Sequence, residues 1–340
     1  MTKPHILDLS LEDLMQLLNG CGEELNKAAV ILEKDIWVCW LLEKLFSMPD
    51  AQPMAFKGGT SLSKVFGVID RFSEDIDITL DYRDTEFSKS KSNRLSKKLR
   101  TEVLNYSYEK LVPYLNQCLS EIKLGEQCSI QVSDDGEQIK ISYPSVLGVR
   151  RGDYVLDHVL LEFGGRNIID PNEVHEVKTI VHDLCVDIVE LPVQDVTVLS
   201  PQRTFWEKVT LIHVECQKGL RANAERLSRH WFDLVSLRDS FIGNTAVNNL
   251  DLMRDVVALK EVFFNSTGSN YELCLKGEIT LCPNDDDYTA LKNDYAKMVA
   301  SGMVYNRDVG FEKIVERIQQ IQDEINDLIL REFDQNKILA

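Results

Sequence analysis

The sequence predicts an α+β protein in which a mixed sheet with flanking helices is followed by a mostly helical C-terminal domain. Three observations predict it. Ala55 to Asp81 reads as a strand, a glycine turn, a short helix, a loop and a second strand. Ser129–Val132 and Gln138–Ser142 flank Asp135-Gly136, a strong hairpin signal. Beyond Ser200-Pro201 apolar residues recur at helical spacing almost to the end, and proline starts helices while disfavouring helix in the residue before it. The boundary is therefore expected near Leu199, dividing the 340 residues into domains 1–199 and 200–340, each with ample core at roughly 150 residues per domain.

Each element follows from its local pattern. Residues 9–48 hold two helices, one striped by Leu11, Leu14, Leu17 and Leu18 behind a Ser10 cap, the other by Ile36, Val38, Leu41, Leu42, Leu45 and Phe46. Glu33, Lys34 and Asp35 read as helix surface or structural ion pairs. A largely helical insertion is expected over roughly Phe87–Leu124, then a strand over Tyr154–Phe163 ended by Gly164-Gly165. Strands are further expected over Val174–Val181 and Val186–Val198. The helical half is broken at Gly243, Ser266–Asn270 and Cys282–Asp287.

Composition excludes several classes. No apolar run is long enough for a signal peptide or a membrane span, so a cytoplasmic protein with no membrane partner is expected. The eight cysteines contain no C-x-x-C and the six histidines are dispersed, so neither disulfides nor zinc is expected. A formal charge of −17 opposes nucleic acid over the surface as a whole, which makes any such contact regional. One region qualifies: Lys89, Lys91, Arg94, Lys97, Lys98 and Arg100 fall together, with Arg150 and Arg151 as further cations. The alternative is a solvated helix face.

The chemistry concentrates in AFKGGTSLSKVFGVIDRFSEDIDITLD. Side chains alternate along a strand, so Asp75 and Asp77 share one face while Ile76 and Ile78 share the other. Two carboxylates 4 Å apart repel by about 4 kcal/mol at an effective dielectric of 20, which is tolerable when they are solvated or metal-bound. All-oxygen ligands suit magnesium. With 55 acidic residues, chance alone supplies about nine acid-x-acid pairs, so the combination carries the information. Gly58 and Gly59 allow a tight turn with amides near an anion, and Thr60, Ser61 and Ser63 add hydroxyls. It is not a Walker loop, because Lys64 follows Ser63 and precedes Val65.

A glycine turn, a helix and then D-x-D on a strand resembles the polymerase-β-like nucleotidyltransferase superfamily, and KGGTSL with RFSEDID is similar to its AbiEii toxin branch. EKDIWVCWLLEKLF (Glu33 to Phe46), PQRTFWEKVTLIH (Pro201 to His213) and RLSRHWFDLVSLRD (Arg226 to Asp239) resemble further motifs of that family, so the likeness spans Glu33 to Asp239 in order. One departure is the sixteen-position spacing of Gly59 and Asp75, longer than the shortest in the superfamily.

The resemblance implies a polymerase-β-like core and site residues. Asp75, Asp77 and Glu162 become metal ligands, Glu162 being preferred to Asp157 as the third acid. Gly58, Gly59, Thr60, Ser61 and Lys64 become nucleotide-binding residues. Lys208 and Asp233, which would otherwise read as helix surface, join the active site, Lys208 as a phosphate contact. It further implies two Mg2+ ions, an NTP substrate and an RNA acceptor, notably a tRNA end. Lys91, Arg94, Lys97 and Lys98 would contact that RNA. The implied setting is a bacterial toxin-antitoxin or phage-defence (abortive infection) pair, with an antitoxin encoded alongside. Alternatives are transfer to a protein or small molecule, or a nucleotide sensor, which would dispense with one of the carboxylates.

Overall fold

The computed structural model describes residues 3–81, 83, 93–148, 155–220, 224–305 and 309–339. The chain divides into two compact units, Met1–Val65 with Phe72–Leu199, and Phe66–Arg71 with Ser200–Ala340. The class is α+β.

Among the described residues the first unit is built on a seven-stranded mixed sheet, in the order β3 (Ser129–Val132), β4 (Gln138–Ser142), β5 (His158–Asn167), β2 (Ile76–Asp81), β1 (Met54–Lys57), β7 (Val193–Leu199), β6 (Asn172–Lys178). Helix α1 (Leu11–Leu25) starts at Ser10, whose hydroxyl oxygen accepts from the Asp13 amide. Helix α2 (Ala29–Phe46) is buried on almost every face, Trp37 and Trp40 included, and packs on α1 and on the sheet at β7 and β5. β1 (Met54–Lys57) runs straight into α3 (Gly58–Lys64), so the two glycines form the first turn of a helix. β2 (Ile76–Asp81) returns antiparallel to β1.

After β2 come α4 (Asn93–Tyr106), a π-helical turn over Ser107–Leu111 and α5 (Val112–Ser120). The hairpin of β3 (Ser129–Val132) and β4 (Gln138–Ser142) turns at Asp135-Gly136, where Gly136 adopts φ +72° and Asp135 Oδ1 accepts from the Glu137 amide. β5 (His158–Asn167) begins later than the pattern predicts and continues through Gly164 and Gly165, because β2 still pairs it there, with Thr79 opposite Gly164 and Asp81 opposite Asn167. Strand character over Val186–Val198 is also corrected. β6 (Asn172–Lys178) and β7 (Val193–Leu199) are separated by the short α6 (His182–Cys185) and a turn, so only the second half of that stretch pairs.

The second unit is helical. In α7 (Pro201–Lys218) Ser200 caps the start, its hydroxyl oxygen accepting from the Gln202 amide. α8 (Ser228–Asp239) and α9 (Phe241–Val247) are split at Ser240, not at Gly243, which lies inside α9 while the Ser240 hydroxyl oxygen accepts its amide. α10 (Leu250–Phe263), α11 (Tyr271–Cys274), α12 (Asp285–Ala300) and α13 (Phe311–Leu339) complete it. Trp206 and Trp231 are fully buried and their indole N–H groups donate to the Ala246 and Leu281 carbonyls. The segment Phe66–Arg71 joins this unit through a bridge from Arg71 to Val304 and the Tyr305 amide donating to the Asp70 carbonyl. Among the described residues no helix is long and apolar enough to cross a membrane.

Candidate active site

In the first unit the parallel register of β2 and β5 sets Asp77 directly opposite Glu162, and the antiparallel register with β1 sets Lys57 on its other side. Residues opposite one another in a ladder project to the same face, so the two carboxyl groups meet there. Burial, and after it the Glu162 carboxyl, push Asp77 well above the usual carboxylate range; Lys57 opposes this and Asp75 adds to it. Asp75 precedes the strand and is buried, at 8% exposure. Asp157, the rival third acid, is exposed and hydrogen-bonded to the ring of its neighbour His158.

Gly58 explains the glycine in chemical terms. It adopts φ +80°, and a Cβ there would lie 1.9 Å from Asp77 Oδ2. The hydroxyls that follow already have partners. Thr60 donates toward the Ser73 hydroxyl and the Asp75 carbonyl, and Ser61 donates to the Gly58 carbonyl at 2.9 Å. Thr60 thereby ties the glycine turn to the residue just before β2. Lys64 pairs with Asp35 at 2.6 Å and donates to the Lys178 carbonyl at 3.0 Å. Burial alone would lower its pKa, but Asp35 holds it above the ordinary lysine value.

The cross-strand pair of Asp77 and Glu162, with Asp75 adding to the negative charge felt by Asp77, presents oxygen groups of the kind a hard divalent cation takes. Among the described residues no three His, Cys, Asp or Glu side chains are gathered closely enough to hold a metal ion by themselves. Magnesium tolerates this, because it takes one or two carboxylates and completes its shell with water and phosphate oxygens.

The second unit holds a separate buried cluster. Asp233, fully buried on α8, accepts two hydrogen bonds from Arg71, Nε at 2.7 Å and Nη2 at 2.7 Å, and one from Lys208 at 2.8 Å. Burial opposes ionisation of Asp233, but the two cations overcome it and hold its carboxyl well below the ordinary range. Burial lowers Lys208, with Asp233 opposing. His230, three residues before Asp233 on α8, has an Nδ1 sheltered from solvent and is driven well below its usual value by burial and then by Lys208 and Arg229. Lys208 and Asp233, matched from separate motifs, thus form one ion pair. Arg71 had no role in the sequence reading, although it stands inside RFSEDID; an arginine beside apolar Phe72 was the available signal.

Of the basic segment, Lys97, Lys98 and Arg100 are exposed on α4, while Leu99 and Val103 are buried. Lys91, Arg150 and Arg151 lie outside the described residues, as does the side chain of Arg94.

No curated protein matches the sequence. Among solved structures, MenT4, a nucleotidyltransferase toxin from Mycobacterium tuberculosis, is similar with a TM-score of 0.49 and 17% identity over 94% of this chain and 90% of that one. The family model described as nucleotidyl transferase AbiEii toxin, type IV toxin-antitoxin system, matches residues 40–322, and the chain belongs to that family of nucleotidyltransferase toxins.

Proposed function

We propose that this toxin transfers a nucleoside monophosphate from an NTP to a hydroxyl of an RNA acceptor, a tRNA end, in the bacterial cytoplasm, as one half of a toxin-antitoxin pair that serves phage defence. The observation that carries the reading is the cross-strand meeting of Asp77 and Glu162 above Gly58. Asp75, Asp77 and Glu162 would hold Mg2+, which supplies charge neutralisation at the phosphates and a more acidic acceptor hydroxyl. The acceptor oxygen bonds to the α-phosphorus, the bond to the bridging oxygen breaks, pyrophosphate leaves and the hydroxyl proton is lost to a carboxylate or water.

The remaining residues place charge. Gly58 and Gly59 keep the backbone open beside the carboxylates for the β and γ phosphates. Thr60, Ser61 and Lys64 shape that turn through their internal partners. Lys208 would neutralise a non-bridging oxygen, its ammonium oriented by Asp233, which Arg71 in turn holds in place. Lys91, Arg94, Lys97 and Lys98 would take RNA phosphates. The test is incubation with each labelled NTP, Mg2+ and total cellular RNA. Label in tRNA is expected; label only in protein or small molecules overturns the acceptor, and no label with any NTP overturns the reaction.

A further inference from the structure

Three consecutive charged residues on α2, Glu33, Lys34 and Asp35, are buried to 2% exposure or less. Each reaches a different part of the first unit. Glu33 accepts from the Ser145 hydroxyl and the Val146 amide, both at 2.7 Å. Asp35 pairs with Lys64 at the end of α3 and accepts from the Ile180 amide at 2.6 Å. Lys34, between them, closes a triangle. Its ammonium is 3.3 Å from Glu74 Oε2 and donates to the Leu156 carbonyl at 2.9 Å, while the Leu156 N–H donates to the same Glu74 oxygen at 3.0 Å. The ammonium also donates to the carbonyl of His158, the first residue of β5.

Glu74 immediately precedes Asp75, and Glu162 lies four positions along β5 from His158. Burying a lysine and a glutamate carries a desolvation cost that an apolar pair avoids, so stability is a weak reason for their presence and directionality a stronger one. β2 and β5 are parallel and far apart in the chain, so no tight turn sets their offset. A slip of one residue would turn Glu162 to the opposite face of the sheet. We infer that Lys34 and Glu74 are positioning residues: through Leu156 and His158 they fix the offset between β2 and β5, and so hold Glu162 opposite Asp77. The inference rests on the reading of Asp75, Asp77 and Glu162 as cation ligands.

The test is a Mn2+ titration of the nucleotide-free chain, followed by the paramagnetic resonance of the free ion, on wild type, Asp77→Asn and the double variant Lys34→Met with Glu74→Gln. The double variant removes both charges together and strands neither. It is expected to melt cooperatively, to bind Mn2+ about 10- to 100-fold more weakly, and to release pyrophosphate with a reduced kcat and little change in KM for NTP. A folded double variant with wild-type Mn2+ affinity, beside an Asp77→Asn that has lost it, overturns the positioning role alone. An Asp77→Asn that binds as tightly as wild type overturns the cation reading and this inference with it. Should the double variant not fold, Glu74→Gln alone, which keeps the shape, decides: weakened Mn2+ binding supports the role and unchanged binding overturns it.

Discussion

Gly58 and Asp77 are in such close contact that a single methyl group on the glycine would stand 1.9 Å from the aspartate Oδ2. The requirement is double, since φ at Gly58 is also +80°. Gly58→Ala must therefore strain the turn or displace the carboxylate. The expected result is a loss of about 1–3 kcal/mol in stability and loss of transfer at every NTP concentration. Melting curves and a rate assay check it, and a wild-type rate would contradict the placement of Asp77 in the reaction.

Asp77→Asn should separate activity from folding. Burial and Glu162 both press Asp77 toward its neutral form, so an uncharged isostere relieves repulsion in the metal-free chain. The melting temperature should hold or rise while transfer is abolished. Asp75→Asn should likewise lose transfer. An active Asp77→Asn would end its assignment as a metal ligand.

Lys208 and Asp233 should respond unequally. Asp233→Ala leaves Arg71 and Lys208 buried without their shared anion, a change that costs about 3–5 kcal/mol. Lys208→Met keeps the Arg71–Asp233 pair and should cost much less in stability, yet still lose kcat/KM. Equal melting temperatures for the two variants would show that the cluster is not what holds these helices.

The same carboxylate gives an acid signature. The folded pKa of Asp233 lies below its unfolded value of about 3.9. The stability it contributes is therefore fully present above that value and is lost as pH falls toward the folded pKa. Acid unfolding curves should differ between wild type and Asp233→Asn near neutrality and converge at the acid end. Curves that run parallel throughout would refute the linkage.

RNA docking should be salt-dependent and local. Replacing Lys91, Arg94, Lys97 and Lys98 with Gln removes cations of a chain with net charge −17. Each lost phosphate contact should flatten the log–log salt dependence of RNA binding by about 0.7 to 0.9 while leaving NTP binding alone. A variant with the wild-type slope would mark Lys97 and Lys98 as solvated helix face.

Local chemistry made much of the fold legible. Ser10 and Ser200 mark helix starts because their side chains take amides a few residues away, and Asp135-Gly136 marks a hairpin because the turn needs a positive φ. Strand limits were less legible: β5 continues past Phe163 because β2 goes on pairing it, with Thr79 opposite Gly164, which no local preference reports. The break before α9 falls at Ser240 because a capping hydroxyl, not a glycine, ends the preceding helix pattern.

By itself the sequence determined the strand, glycine and D-x-D arrangement, the helical second half and the family, since all three are written in spacing and residue type along the chain. Tertiary structure alone decided that Glu162 faces Asp77, that Arg71 holds Asp233 from 162 positions away, and that Glu33, Lys34 and Asp35 are buried rather than solvated. The reason is physical. Helix and turn signals arise from interactions within a few residues, whereas ladder register and the pairing of buried charges depend on which distant segments share one water-free interior.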